Sequence, residues 1–332
     1  MKRLCSLVFG GLVLALAMPA LAQQTIVIKF SHVVAVDTPK GKAADRFKQL
    51  AEERTKGRVK VEVYPNSSLF KDGEEMEALQ LGSVQMLAPS VAKFGPLGVR
   101  EFEVFDLPYI FDSFDELHKV TNGPVGKLLF QKLESKGITG LAFWDNGFKD
   151  MSANKPIKLP ADYKGLKMRI QSSKVLGDQM KALGAIPQVM AFSEVYQALQ
   201  TGVVDGTENP PSNFYTQKMH EVQKYLAMTD HGVIEYAVIV NKKFWDGLPA
   251  DIRTTLEGCM KDATNYANEI AKKENDDALE AVKKSGKTQI LIPTADEKNQ
   301  MKKALLVVHK ENEGRIGKDI IQQVYQATGF KP

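Results

Sequence analysis

One arginine between apolar neighbours is the first candidate for chemistry in this chain of 332 residues. The run Gly165–Ile170 has the pattern of a buried strand, and the polar triplet Gln171-Ser172-Ser173 opens the loop that follows it. A planar guanidinium held by a strand suits bidentate recognition of a carboxylate. A structural ion pair with one of the 40 Asp and Glu residues is the alternative. The pattern therefore predicts that Arg169 binds an anionic ligand or belongs to an internal ion pair.

A second polar candidate follows a short helix. The run Ser193–Gln200 has helical spacing, and Gly202 is a typical residue after a helix end. A tight turn at Asp205-Gly206 then leads into Asn209 and the proline behind it. We expect the Asn209 amide to lie on a rigid loop, where it can donate hydrogen bonds to an oxyanion.

Signatures of catalysis and of metal binding are missing from the sequence. It contains no Gly-x-Ser-x-Gly elbow and no His-Glu-x-x-His motif. Gly123–Lys127 resembles a phosphate loop, but no Ser or Thr follows the lysine. His118, His220 and His231 lack ligand spacing, and surface or capping roles are expected for most of the histidines. The sequence therefore indicates neither an enzyme nor a cofactor.

Composition and charge exclude several classes of protein. Apolar residues make up 43% and charged residues 25% of the chain, which is ordinary for a globular protein of about two domains. Lys and Arg number 44 against 40 Asp and Glu, so the formal charge is only +4. That scattered excess is too small to indicate nucleic acid as a partner.

The first segment predicts export to the periplasm. Residues 1–22 begin with Lys2 and Arg3, continue as an apolar run, and end in small residues typical of signal-peptide cleavage after Ala22. An uncleaved anchor is the alternative. Cys259 remains alone in the mature chain, which excludes an internal disulfide. We therefore expect a free, exported protein rather than a lipid-anchored one.

Strands and helices alternate along the mature chain. Ile26–Phe30 and Val59–Tyr64 have strand patterns, and between them Thr38 and Pro39 are typical of a helix start. Such alternation predicts mainly parallel sheets covered by helices. Residues 249–287 carry an apolar stripe on a charged background, which predicts one long surface helix. No flexible linker separates the domains, so we expect crossing strands and a shared helix to join them.

The segment 192–210, together with Gly165–Arg169, resembles the signature of the solute-binding proteins of TRAP transporters. Further segments resemble the DctP branch of that family, which binds C4-dicarboxylates, and the resemblance covers nearly all of the mature chain. These segments are Lys29–Val34, Asp37–Gly41, Tyr64–Phe70, Phe105–Pro108, Ser152–Pro156, Gln217–Tyr225 and Phe244–Pro249.

The resemblance implies an α/β fold of the periplasmic-binding-protein type. In that fold two α/β lobes surround a ligand cleft, and a long helix spans both. Residues 23–146 with 235–275 are expected to form lobe I, and residues 147–234 with 276–332 are expected to form lobe II. The implied partners are a small carboxylate ligand and the two-part membrane permease of a TRAP transporter, which an ion gradient drives. We expect the binding protein itself to be a monomer.

The resemblance also implies roles for residues of lobe II. Arg169 matches the arginine that clamps the ligand carboxylate in this family, and Asn209 matches the amide that completes the clamp. Lys149 lies where relatives that bind sialic acid carry a second arginine. A lysine has the same positive charge as that arginine but lacks its planar guanidinium fork. Phe192 is expected either to form a wall of the cleft or to belong to the core.

Lobe I is expected to supply the opposite wall. Ser90 and Lys93 follow a strand on the cleft side, and Lys93 is a candidate partner for a second carboxylate. Relatives that bind sialic acid place a carboxylate near Ser90, and its absence from this stretch argues against that ligand. His32 follows the first strand at a cleft-facing end. Tyr236 either offers its hydroxyl to the ligand or belongs to the core.

These expectations lead to a binding protein for succinate, malate or fumarate that closes around its ligand. Within the family, a sugar acid or an aromatic carboxylate is the alternative ligand. A ligand-binding module for a membrane sensor kinase would use the same cleft. An exported enzyme acting on organic acids is a fourth possibility, which the lack of a nucleophile–base pair or metal cluster disfavours.

Overall fold

The computed structural model describes residues 25–332, so the predicted signal segment 1–22 and its cleavage point lie outside the described residues. Within the described part, the strands form two separate sheets. The strands are β1 Ile26–Ser31, β2 Val59–Tyr64, β3 Met86–Leu87, β4 Ile138–Phe148, β5 Asp150–Ala153, β6 Lys167–Ile170, β7 Ile186–Val189, β8 Gly206–Asn209, β9 Tyr225–Ala227, β10 Val233–Asn241 and β11 Gln289–Leu291.

Helices cover these sheets. They are α1 Pro39–Arg54, α2 Glu75–Gln80, α3 Phe114–Thr121, α4 Pro124–Glu134, α5 Lys174–Ala182, α6 Val195–Gln200, α7 Pro211–Thr216, α8 Lys242–Asp246, α9 Ala250–Ser285, α10 Ala295–Leu305, α11 Val307–Glu311, α12 Glu313–Ile316 and α13 Lys318–Thr328. Short 3₁₀ turns lie between several of them, including Val91–Lys93 and Phe192–Glu194 at the meeting of the two sheets. None of the described helices is long and apolar enough to cross a membrane.

The first sheet has the strand order β2-β1-β3-β10-β4. β1 pairs in parallel with β2 and β3, which requires crossover connections, and α1 is the crossover between β1 and β2. α1 begins as predicted, because the Thr38 hydroxyl accepts a hydrogen bond from the Gly41 N–H at 3.1 Å and Pro39 is its first residue. The loops after β1 and β3 leave the sheet at the same edge, which brings residues 32–34 close to residues 88–93.

The second sheet has the order β11-β9-β5-β8-β6-β7. β6 is parallel to β7 and β8, with Arg169 of β6 opposite Thr207 of β8. The carboxyl ends of β6 and β8 therefore meet at one edge of the sheet. Arg169 and Asn209, which the sequence separates by 40 positions, become neighbours at that edge.

The prediction of mainly parallel sheets is wrong for the strands that cross between the two halves. β10 runs antiparallel to β3 and β4, and β5 runs antiparallel to β8 and β9. The reason is the chain path: β4 ends at Phe148, β5 begins at Asp150 in the other sheet, and β10 brings the chain back. A chain that crosses and returns enters each sheet against the direction of its neighbours.

The predicted long helix is present as α9, 36 residues from Ala250 to Ser285. Gly286 ends it in the left-handed conformation at φ +65°, which a glycine adopts without strain. α9 packs against α1 and β4 on the first sheet and against α7 beside the second. The two-lobe fold is therefore joined by a shared helix as well as by crossing strands.

A single large hydrophobic cluster also connects the two halves. It includes Phe102 and Phe105 between the sheets, Met168 of the second sheet and Val324 of α13. The segment 91–134 packs on β4 and also on α13 near the end of the chain. This packing does not decide the predicted lobe boundaries, which remain a prediction.

Candidate functional site

Two walls of polar side chains face each other where the sheets meet. They surround a small cavity of about 20 Å³, room for about one water molecule. Six of the eight predicted site residues line it: Ser90, Lys93, Arg169, Phe192, Asn209 and Tyr236. The first wall comes from the first sheet and its loops and contains Ser90, Lys93 and Tyr236. The second wall comes from the second sheet and its loops and contains Arg169, Phe192 and Asn209. His32 and Lys149 do not line the cavity.

Arg169 is buried in β6 and held from one side by a carbonyl. Its Nε and Nη2 atoms both donate to the Met190 oxygen, at 3.0 and 2.8 Å. Burial lowers the pKa of the guanidinium, and nearby carboxylates oppose that effect. Among residues 25–332 no acceptor takes a hydrogen bond from Nη1, so the end of the fork is left for a ligand carboxylate.

Asn209 is the last residue of β8 rather than part of a loop, which corrects the sequence prediction. Its backbone pairs with Asp150 of β5, and this pairing fixes the amide more firmly than a turn would. Its side chain donates weakly, to the Thr207 hydroxyl at 3.3 Å and towards the Met219 sulfur at 3.7 Å. Such long contacts leave the Asn209 amide available to an oxyanion beside Arg169.

Lys93 lines the cavity, but two carboxylates already hold its ammonium group. Asp72 contacts it directly, and Glu75 of α2 lies at 2.7 Å. Although burial alone would lower the pKa of Lys93, these two carboxylates raise it above its ordinary value. Lys93 therefore keeps its charge with internal partners, and its role as a candidate partner for a second ligand carboxylate stays a prediction.

Asp72 links the two walls. One of its oxygens accepts the Phe192 N–H at 2.7 Å and lies 3.9 Å from Arg169 Nη2. Burial by itself would raise its pKa, but Lys93 and Arg169 hold it at about 2, so the side chain is a carboxylate. The stretch around Ser90 has no carboxylate of its own, but the fold brings Asp72 into the same cavity lining from the loop before α2.

Lys149 lies behind the second wall in an ion pair. Its side chain is 1% exposed, and its Nζ is 3.0 Å from Glu208 Oε1. The other oxygen of Glu208 contacts His231 Nε2 at 2.8 Å. Burial alone would raise the pKa of Glu208, but Lys149 and His231 hold it at about 2. His231 is buried too, contrary to the surface role expected for most histidines.

Tyr236 and Phe192 combine packing with contact to the cavity. The Tyr236 hydroxyl accepts hydrogen bonds from Asn146 at 2.8 Å and Asn213 at 3.3 Å, so neighbouring amides already engage it. The Phe192 ring lies 5.6 Å from the Arg169 guanidinium carbon. Both side chains are buried and also form part of the cavity wall.

Sequence reasoning missed several charged and polar residues near the cavity. Asp72 and Asn213 line it, and Lys40 contacts the ring of Tyr236 from α1. Gln171, from the polar triplet already noted after the Arg169 strand, lines it too. Lys40 lies in the segment Asp37–Gly41. A charged residue at the buried start of a helix could have suggested that Lys40 belongs near the site. Asp72 had no such signal, because only tertiary packing brings its loop to Arg169. In residues 25–332 no three His, Cys, Asp or Glu side chains are grouped to hold a metal ion.

Comparison with known proteins identifies the family. The family model of DctP, described as bacterial extracellular solute-binding protein, family 7, matches residues 30–314. The chain belongs to the DctP family. It is 67% identical over 318 residues to the C4-dicarboxylate-binding periplasmic protein DctP of Rhodobacter capsulatus, covering 96% of this chain and 95% of that protein.

Solved structures of the DctP fold show the same two-lobe architecture. A TRAP periplasmic solute-binding protein from Shewanella oneidensis, solved with bound succinate, is 40% identical and covers 92% of this chain and 99% of its own, with a TM-score of 0.90. A sugar-acid-binding protein from Advenella mimigardefordensis, in complex with galactonate, is 31% identical with a TM-score of 0.89 and covers 92% and 98%. The DctP family thus includes at least two classes of carboxylate ligand.

Proposed function

We propose that this chain is the extracytoplasmic solute-binding component of a TRAP transporter and that it captures a C4-dicarboxylate such as succinate, malate or fumarate. The observation that carries the proposal is Arg169, buried at the cavity with the end of its fork free and the Asn209 amide beside it. A small dianion is costly to desolvate, so it needs paired cations and oriented donors more than apolar area. The succinate-bound and dicarboxylate-binding relatives support this choice of ligand.

Capture works through closure of the two lobes. Arg169 and Asn209 belong to the second sheet, and Ser90 and Tyr236 belong to the first, so a ligand that contacts both walls binds the closed arrangement more tightly. Such a ligand shifts the population towards closure in proportion to its differential affinity. The membrane permease then recognises the closed form of the binding protein.

The chain must be exported before it can serve as the extracytoplasmic component of the transporter. We expect cleavage after Ala22 and a monomeric mature protein that begins at Gln23 and delivers its ligand to the permease subunits in the membrane. Mass spectrometry of the periplasmic protein tests the cleavage point, and size-exclusion chromatography with light scattering tests the monomer. A chain that keeps residues 1–22 would contradict the export proposal.

A sugar acid is the second candidate ligand. The carboxylate of Asp72 in the cavity wall favours it, because a carboxylate accepts hydrogen bonds from hydroxyl groups, and the galactonate-bound relative has such a ligand. A sensory role would use the same cleft, and a pull-down with the permease subunits distinguishes it from transport. An enzymatic role is tested by incubating the protein with each acid it binds, and we expect each acid to be recovered unchanged.

The decisive experiment measures thermal unfolding against a panel of acids. The mature protein is unfolded to remove carried-over ligand, refolded, and heated with succinate, malate, fumarate, galactonate, a uronate or an aromatic acid. A ligand at about a thousandfold its dissociation constant stabilises the native state by roughly 4 kcal/mol. We expect large shifts with the three dicarboxylates.

Two variants make the result specific. Arg169→Ala should abolish the shifts, and Arg169→Lys should weaken them because a point charge replaces the planar fork. Arg100→Ala, at an exposed position, is the matched control and should behave like the wild type. A shift with galactonate, the uronate or the aromatic acid alone would contradict the dicarboxylate proposal and leave the family unchanged.

A further inference from the structure

A buried ammonium group behind the first wall has no carboxylate partner. Lys40, the second residue of α1, is 1% exposed, and its Nζ donates to the Ala88 oxygen at 2.9 Å. Its other close contact is the face of the Tyr236 ring, 3.6 Å from the centroid. No carboxylate of residues 25–332 forms a salt bridge with it. A buried charge without a counter-ion is costly, and an ammonium has three donors to satisfy.

His32 is a second unsatisfied group in the same place. It is buried at the end of β1, and neither ring nitrogen has a hydrogen-bond partner within residues 25–332. Burial, together with the charge of Lys40, lowers its pKa to about 3, so the ring is neutral at physiological pH. A neutral imidazole offers one donor and one acceptor. Lys40 and His32 therefore leave several hydrogen-bonding positions unused in an otherwise packed region.

Both groups lie directly behind the wall of the cavity. His32 precedes Val33 and Val34, which line the cavity, and the acceptor of Lys40 is two residues before Ser90, which also lines it. Tyr236 is shared, because its ring contacts Lys40 and also faces the cavity. This wall stands opposite Arg169 of the second sheet.

Lys93, the other basic residue of this wall, is already neutralised. Lys93 is held by Asp72 and Glu75, so its charge is balanced before any ligand arrives. No carboxylate contacts Lys40 in this way: its burial, and then the charge of Lys93, lower its pKa to about 7, and the more distant Glu75 and Asp72 offset only part of this effect. Lys40 is therefore the amine of this wall that lacks a contacting carboxylate, and an incoming anion favours its charged form.

We propose that Lys40 and the neutral His32 form the subsite for the second carboxylate of the ligand, while Arg169 takes the first. This inference rests on the proposed function and assigns the role expected of Lys93 to a residue of α1. A dicarboxylate then balances one cation in each lobe, whereas a monocarboxylate leaves Lys40 uncompensated. The subsite thereby selects dianions over monoanions of the same length.

The test compares succinate with succinamate, in which an amide replaces one carboxylate. Dissociation constants are measured by isothermal titration calorimetry on refolded, ligand-free mature protein. We expect the wild type to prefer succinate strongly. Lys40→Met should weaken succinate binding by about 30-fold or more, the effect of removing one partner of a buried charge pair, and should change succinamate binding little. Lys40→Arg should keep most of the preference.

Controls separate this inference from its alternatives. Lys119→Met, at an exposed position of α3, should leave both constants unchanged. If Lys40→Met does not fold, Lys40→Gln, which keeps a donor for the Ala88 oxygen, is used for the same comparison. Equal effects on succinate and succinamate would overturn the inference, as would loss of the preference in Lys93→Met but not in Lys40→Met. A wild type that binds no dicarboxylate would instead overturn the proposed function itself.

Discussion

The guanidinium of Arg169, which we propose binds the ligand, is already held in one orientation by the protein itself. The Met190 oxygen accepts from the Nε side of the fork, which fixes its plane and leaves the other edge free. A fixed fork loses little side-chain entropy when it binds a carboxylate. The nearest protein carboxylate is that of Asp72, whose oxygen lies 3.9 Å from Nη2, too far for a hydrogen bond.

Lys149 shows the opposite case, a charge that the protein already uses internally. We expect Lys149→Met to lower the free energy of unfolding by about 3–5 kcal/mol, because it leaves the buried Glu208 without its main counter-ion. Urea unfolding of the ligand-free protein measures this loss. The double variant Lys149→Met/Glu208→Gln should recover part of it, because no unpaired charge then remains.

Ligand titration of the same variant tests the role that the family resemblance implies for Lys149. Under conditions where Lys149→Met stays folded, succinate should bind with a dissociation constant close to that of the wild type. A large loss of affinity without a loss of stability would instead return Lys149 to the ligand site.

At the scale of elements, the paired strands β4 and β10 carry a buried acid pair at the crossing between the sheets. Glu235 lies opposite Asp145 beside a bulge in the register, and both side chains are buried. Neither oxygen of Glu235 has a partner, and Asp145 contacts His118 through Oδ2 only, at 2.7 Å. Burial, and then the neighbouring Asp145, raise the pKa of Glu235 well above 4.5. A protonated Glu235 that donates to Asp145 accounts for the unpartnered oxygens.

This pair makes stability depend on pH. Because the folded state holds a proton that the unfolded chain releases above about pH 4.5, the folded protein loses up to about 1.4 kcal/mol per pH unit as the pH rises towards the folded pKa of Glu235. Glu235→Gln supplies a permanent donor. We therefore expect it to raise the free energy of unfolding at pH 8, with little effect near pH 4.

Urea unfolding between pH 4 and pH 9 measures the difference. Glu257→Gln on the exposed face of α9 is the matched control, and its curve should follow the wild type. A Glu235→Gln variant that is less stable than the wild type at pH 8 would show that Glu235 is ionised in the folded protein.

At the scale of the whole molecule, the contact of Asp72 with the Phe192 N–H joins the loop before α2 to the second wall at 2.7 Å. This carboxylate joins the two walls and also neutralises Lys93. Removing it takes away one hydrogen bond between the walls, so we expect ligand-free Asp72→Ala to have a larger radius of gyration than the ligand-free wild type. Small-angle X-ray scattering measures the difference.

Succinate should reduce the radius of gyration of the wild-type protein, because a ligand that contacts both walls favours closure. Asp37→Ala, at an exposed position of the same half of the molecule, serves as the control and should match the wild type with and without ligand. Identical scattering of the wild type before and after saturation with succinate would contradict closure on binding.

Much of the local structure could be predicted from the sequence. The Thr38-Pro39 start of α1, the strand Val59–Tyr64 and the long α9 follow from capping residues and periodicity, which act over a few neighbouring positions. Arg169 lies on a strand as predicted, because its apolar neighbours predict burial. These features depend on local conformational preference and on the burial of apolar side chains, both of which are readable along the chain.

The tertiary structure alone decided which charges meet. Lys93 was expected to face the ligand, yet Asp72 and Glu75 lie 21 and 18 positions before it and hold its ammonium group. Lys40 is buried beside Tyr236, and no carboxylate among residues 25–332 contacts it. The antiparallel entry of β5 and β10 also depends on the path of the chain between the sheets. A charge finds its partner through distances across the folded molecule, and no local pattern encodes those distances.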